Sequence, residues 1–253
     1  MLKKLKGKNM CQITMNIQEY INAMKKIYNM IYDFINENEE NEMDYQLIQN
    51  CIDTENFFED FEVAKELMIL INKISKNHHR HPNLIKKIKQ ILFNNIDAIK
   101  QTFSNFQIFN FFKNNKLILL FLFHQNIITV DDNIFNYIMA KNDNYKLYFF
   151  NEIKNLLPFE NQKSIENKLL SENPNIFDNF LEKCQEGEND DYLCSLIRND
   201  SVEEFIIFVN RKNIPLSTVI CPSIFETNSF LIKREPTLIE YAAFFGSIQI
   251  FQY

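Results

Sequence analysis

Four histidines and five cysteines are the residues of this chain best suited to chemistry. Three of the histidines fall together, in His78-His79-Arg80-His81. A metal ion there needs further His or Cys ligands at tetrahedral spacing, and none lies nearby in sequence. A helix-end turn is the simpler expectation, because cationic side chains complement the C-terminal end of the helix dipole. Cys184 and Cys194 frame an acidic stretch, and a thiol with His124 as its base would make a nucleophilic pair. His124 closes a very apolar segment, however, where a polar C-terminal turn is expected. There is no nucleophile elbow, no Gly-rich phosphate loop and no H-E-x-x-H. Three glycines in the whole chain leave little with which to build a phosphate cradle. The acidic stretches 37–42 and 186–191 lack the alternating ligands of a calcium loop and read as solvated faces. Lys86, Lys87 and Lys89 alternate with Ile85, Ile88 and Ile91, as on the wet side of an amphipathic helix; an anionic-surface contact is the alternative. No catalytic, cofactor-binding or metal-binding residue is therefore assigned, and the binding residues stay open.

The elements that position these residues follow from composition. The chain has 253 residues, 46% of them apolar, enough for one or two domains with a sizeable core. Only 3 Gly and 6 Pro interrupt it, which argues for helices joined by short links and against a β-sandwich. There are 25 Phe and no Trp, so Phe supplies much of the core. About one residue in seven is Asn, a bias left to polar faces and loops. A net charge of −6 argues against a general nucleic-acid binder. Five scattered cysteines (Cys11, Cys51, Cys184, Cys194, Cys221) fit reduced cytosolic thiols better than a disulfide framework. Residues 1–8 are basic but no apolar segment follows, so they do not read as a secretory signal. The longest apolar run, 117–123, is far short of the roughly 18 residues of a membrane span.

Helical periodicity begins at Met15. Ile17, Tyr20, Met24, Ile27, Ile31 and Phe34 make one face of a long helix. A polar turn is expected at 36–41, a shorter helix through Tyr45, Ile48 and Cys51, and another helix over 56–75. After the histidines, Pro82 restarts a helix carrying Leu84, Ile88 and Leu92. Shorter helices are expected at 96–103, 105–112, 116–124, 133–141, 145–156, 162–170 and 175–184. Their breaks are Asn-rich pairs or prolines, the look of stacked helical hairpins. Gly187, in the acidic stretch 186–191, marks a candidate boundary. Beyond it, Leu193, Leu196 and Ile197 share one face of a short helix, Asn199-Asp200 make a turn, and Ser201 with Glu204 reads as a capping box. Residues 215–235 read as a long connection, with Ile224, Phe225, Phe230, Leu231 and Ile232 in an extended finger.

The last stretch, TLIEYAAFFGSIQIFQY, carries the sharpest motif. Thr237 and Glu240 form a T-x-x-E capping box after Pro236. Ala242 and Ala243 admit a close helix, and Gly246 ends the first helix in a left-handed turn. Ile248, Ile250 and Phe251 open a second helix. Thr237, Ala242, Ala243 and Gly246 match the T-P-L-H-x-A-A-x-x-G pattern, so the segment resembles the ankyrin repeat, in the divergent form found with a helical N-terminal region in some protist proteins. Leu238 stands in place of the usual Pro and Glu240 in place of the usual His. The 190–212 segment resembles a degenerate hairpin of the same kind, with Asp200 in place of Gly.

The expectation is thus an all-α protein of irregular stacked helical hairpins leading into an α-solenoid: a helical region over 1–189, then ankyrin-like repeats over 190–253, the last one incomplete. The resemblance implies a non-enzymatic protein–protein binding or scaffold protein with an unidentified protein partner, no cofactor, no nucleic acid and a cytoplasmic location. The finger 224–232 is its expected contact. The alternatives are a truncated or degenerate paralogue without independent function, and an enzyme with an unrecognised site.

Overall fold

The computed structural model describes residues 17–36, 42–77, 83–172 and 174–253. The structure is all-helical, 72% helix with no strand among the described residues. Contacts divide the chain into two compact units, Met1–Leu70 and Ile71–Tyr253. The boundary expected near residue 190 lies inside the second unit. The His78-His79-Arg80-His81 run, Pro82, Cys11 and nearly all of the polar turn at 36–41 lie outside the described residues.

In the first unit, α1 (Ile17–Asn36) packs on α2 (Glu42–Thr54). The period of α1 delivers Ile27, Ile31, Phe34 and Ile35 to the interior, and Ile48, Cys51 and Ile52 of α2 are buried with them. The Phe34 and Tyr45 rings lie 6.1 Å apart. α3 (Phe61–Asn77) begins later than its apolar pattern suggests. Asn56 takes a left-handed conformation (φ 51°), and the Asp60 carboxylate accepts from the Glu62 and Val63 N–H groups, so the helix starts at that cap. Phe57 is buried from the turn instead of from the helix.

The second unit is organised around α7 (Lys116–His124). Its middle is apolar all round, and Ile118, Leu119, Leu120 and Leu122 are all buried, as a central helix requires. It packs against α4 (Leu84–Asn94), α6 (Asn105–Phe112) and α12 (Phe180–Glu186). α5 (Ile96–Thr102) links α4 to α6, and α8 (Asp132–Met139) follows α7. The helix expected over 145–156 is broken into α9 (Asp143–Tyr148), α10 (Phe150–Ile153) and a 3₁₀ turn at Lys154–Leu156. The break falls at Phe149, which leaves helical geometry and buries its ring edge-on to Phe123, 5.8 Å away. α11 (Phe159–Glu172) leads to a turn in which Asn179 is left-handed (φ 61°), which delays α12 to Phe180.

Residues 190–253 build two helical hairpins, α13 (Tyr192–Arg198) with α14 (Val202–Lys212) and α16 (Leu238–Phe245) with α17 (Ile248–Gln252). First helix packs on first helix and second on second: α13 on α16, α14 on α17. The same turn closes both. Asp200 and Gly246 are left-handed (φ 50° and 69°) and donate to Ile197 O and Ala243 O; Ser201 and Ser247 donate to Leu196 O and Ala242 O. Both Asp200 carboxylate oxygens then accept from the next hairpin, from Gln249 N (3.2 Å) and Ile250 N (3.1 Å). The Thr237–Glu240 capping box is formed. The Ser201–Glu204 box is not: Ser201 sits at ψ 72°, against 165° for Thr237, and its hydroxyl makes no capping hydrogen bond.

The finger is also corrected. Residues 215–235 contain α15 (Ser229–Arg234), capped by the Asn228 side chain, and they fold back on the helices. Only one isolated antiparallel bridge, Val219 with Thr237, keeps an extended character. Ile224, Phe225 and Leu231 are buried, whereas Phe230 and Ile232 are exposed.

Candidate binding cleft

Two stretches far apart in sequence, 186–191 and 221–228, are clamped together. Gly187 takes φ 71° and its carbonyl accepts from the Thr227 N–H (3.0 Å) and hydroxyl (2.8 Å). A Cβ at Gly187 would stand 2.9 Å from Thr227 Oγ1, so both backbone geometry and space require glycine. Asn189 is buried and donates to Cys221 O (3.0 Å), and Ser223 donates to Asp190 (2.8 Å). Arg198 reaches back from α13 to Glu188 (2.6 Å) and to Asn189 O (2.8 Å), and donates to the Tyr241 hydroxyl (3.1 Å). Phe225 plugs the clamp into the core, edge-on to Phe180 with ring centres 5.4 Å apart.

Two buried ionisable groups, one of them in the clamp itself, lie here. The Lys116 ammonium donates to Ile224 O (3.0 Å) and sits over the Tyr148 ring, 4.4 Å from its centre. Burial pushes it down to about 8, against a partial pull upward from Glu226. Glu226 is 6% exposed, and burial raises its carboxyl above the usual carboxylate range. One of its oxygens accepts from Asn228 N (2.7 Å); the other has no hydrogen-bond partner among the described residues. Neither group stands out by type in the sequence. Lys116 did leave a signal, since a lysine at the first position of a helix opposes the helix dipole.

The clamp roofs two clefts, each of about 470 Å³, which share Lys76, Asn114, Glu226, Thr227 and Ser229. The first runs between the corner after α8, the last turn of α3 and the 220–236 connection, and collects Lys76, Lys116, Lys141 and Lys233 from four separate elements. Burial, and then the charge of Lys233, hold the Lys76 ammonium below its ordinary range.

The residues weighed for nucleophilic chemistry are held apart from these clefts. His124 meets Glu152 at 3.2 Å at the end of α7, in the expected polar turn. Cys184 is buried, its thiol donates to Tyr148 O, and burial pushes it up to about 12. A sealed, protonated thiol is no nucleophile. Cys194 is likewise buried and pushed up to about 12. Among the described residues no cluster of three or more His, Cys, Asp or Glu is arranged to hold a metal ion. No described helix is long and apolar enough to cross a membrane. The reading of Lys86, Lys87 and Lys89 as one wet face holds only for Lys86. Lys87 is buried, and Lys89 extends over the Phe121 ring, 5.8 Å from its centre.

Comparison with family models, with curated proteins and with solved structures finds no match to this chain.

Proposed function

We propose that the chain is a non-enzymatic protein-binding or scaffold protein of ankyrin type, with residues 190–253 supplying the binding face. The supporting observation is one ring pair. Phe230, in the connection between the hairpins, stacks on Phe244, in the first helix of the second hairpin, at 5.6 Å and 11°. The two come from the finger and first-helix positions through which repeats of this type meet their partners. Phe230 remains 51% exposed, the Arg234 guanidinium lies over its ring 5.6 Å from the centre, and Phe245 meets Phe244 edge-on. A pre-stacked aromatic with an arginine beside it has the make-up of an interface hot spot. The like-on-like stacking of the two hairpins also favours the reading. The sealed Cys184 thiol gives no support to the enzyme alternative. The test is affinity purification from the same cells with the wild-type chain and with Phe230→Ser/Arg234→Ser, after checking that their melting curves agree. Proteins retained by the wild type and lost by the variant are expected. Identical retained sets would overturn the assignment.

A further inference from the structure

The lysine-lined cleft carries an inference separate from protein binding. Its four lysines are spread over the chain, at 76, 116, 141 and 233, and only the fold brings them to one cavity. The carboxylates lining the same cavity are Glu226 and Glu235. Glu226 is buried and one of its oxygens already accepts from Asn228 N, so the lining holds four lysines against two carboxylates, one of them already engaged. Lys116 is 8% exposed and fixed by Ile224 O, and Lys141 is steadied over the Tyr137 ring at 4.6 Å. Lys76 and Lys233 stand near enough for the charge of one to depress the other. Like charges lining one hollow repel one another, and an anion bound there would ease that repulsion. That this happens in a chain of net charge −6 makes the local excess more pointed. The same lining includes the apolar residues Ile220, Leu231, Pro222 and Pro236. A cavity of about 470 Å³ falls in the size range of small-molecule sites, which pair an apolar wall with a few convergent polar groups.

We propose that this cavity binds a small organic anion, a phosphate or dicarboxylate on a compact apolar body, with Lys141 and Lys233 meeting its charge and Ile220 and Leu231 its apolar side. The probes are phenyl phosphate and phthalate, with neutral benzamide as control, titrated calorimetrically into the full chain at low salt. One or both anions are expected to bind with a Kd below about 1 mM and benzamide not to bind. The stronger of the two anions identifies the head group. Lys233→Met and Lys141→Met, each on the cavity wall, are expected to weaken binding at least about tenfold, which is about 1.4 kcal/mol. Lys212→Met, at the end of α14 away from the cavity, is expected to leave it unchanged. Binding of neither anion overturns the proposal. So does equal weakening by all three variants, which would mean general charge attraction.

Discussion

Lys116 makes the stability of the chain respond to pH. In the unfolded chain the lysine titrates near its ordinary 10.5, and in the folded chain near 8. Below pH 8 both states carry the proton, and the cost of burying the ammonium is fully present. From pH 8 to 10.5 the folded state sheds its proton first, so this cost is relieved as pH rises, by on the order of 3 kcal/mol in all. Cys184 and Cys194 act with the opposite sign. Their thiols stay protonated to about 12 in the fold but ionise near 9 when unfolded, so stability falls as pH rises above 9. Urea midpoints of the wild type and Lys116→Met between pH 7 and 10 separate the two effects. The variant is expected to lose ground relative to the wild type steadily above pH 8; a constant difference would contradict the burial of a charged Lys116. Gly187→Ala is expected to cost about 2 kcal/mol, because it needs φ 71° and meets Thr227 Oγ1 at 2.9 Å; an unchanged urea midpoint would contradict the clamp. Residue types hid much of this. With 3 Gly in the chain, asparagine takes over left-handed positions, at 56, 126, 179 and 213, and caps helices at 115, 142 and 228. Part of the asparagine bias thus supplies the turn and cap chemistry of a glycine-poor fold.

Several helix starts capped by a side chain were legible. α6 begins after a Ser104–Gln107 capping box, α7 after the Asn115 cap and α16 after Thr237, and their bounds are close to those read from pattern. The misses have physical causes. The helix over 145–156 breaks because Phe149 buries its ring, and the finger folds back because Ile224 and Phe225 find a place in the core that periodicity does not reveal. Ser201 with Glu204 satisfies the capping-box spacing yet makes no cap, because Asp200 takes the turn geometry and aims its carboxylate at the next hairpin. Asp200→Ala is therefore expected to cost about 1–2 kcal/mol, losing both the cap of α17 and a residue tolerant of φ 50°. Ser201→Ala is expected to leave stability within about 0.5 kcal/mol. The reverse order in chemical denaturation would restore the capping-box reading. Phe225→Ala, which removes the ring packed on Phe180, is expected to cost about 3–5 kcal/mol by the same measurement.

At the scale of the molecule, the all-helical class followed from scarce glycine and proline and from the apolar period. The division into Met1–Leu70 and Ile71–Tyr253 did not, because the acidic stretch near 190 looks like a linker and no composition shift marks residue 70. What joins 190–253 to the helices before it is long-range and largely polar: Arg198 to Glu188, Lys116 to Ile224 O and Gly187 O to Thr227, with the Phe225 ring on Phe180 beside them. Pairings of this kind leave no period to read. The two hairpins also hold a shared apolar core of their own, with Leu196, Phe205, Tyr241 and Ile250. The central claim is that these hairpins stack on the preceding helices as one cooperative body. Native-state hydrogen exchange on the full chain measures this directly, through the opening free energies of the α7, α12, α13 and α16 amides in rising denaturant. The account predicts that the slowest amides of all four helices merge into one common opening. A separate, much lower opening free energy for α13 and α16 would contradict it.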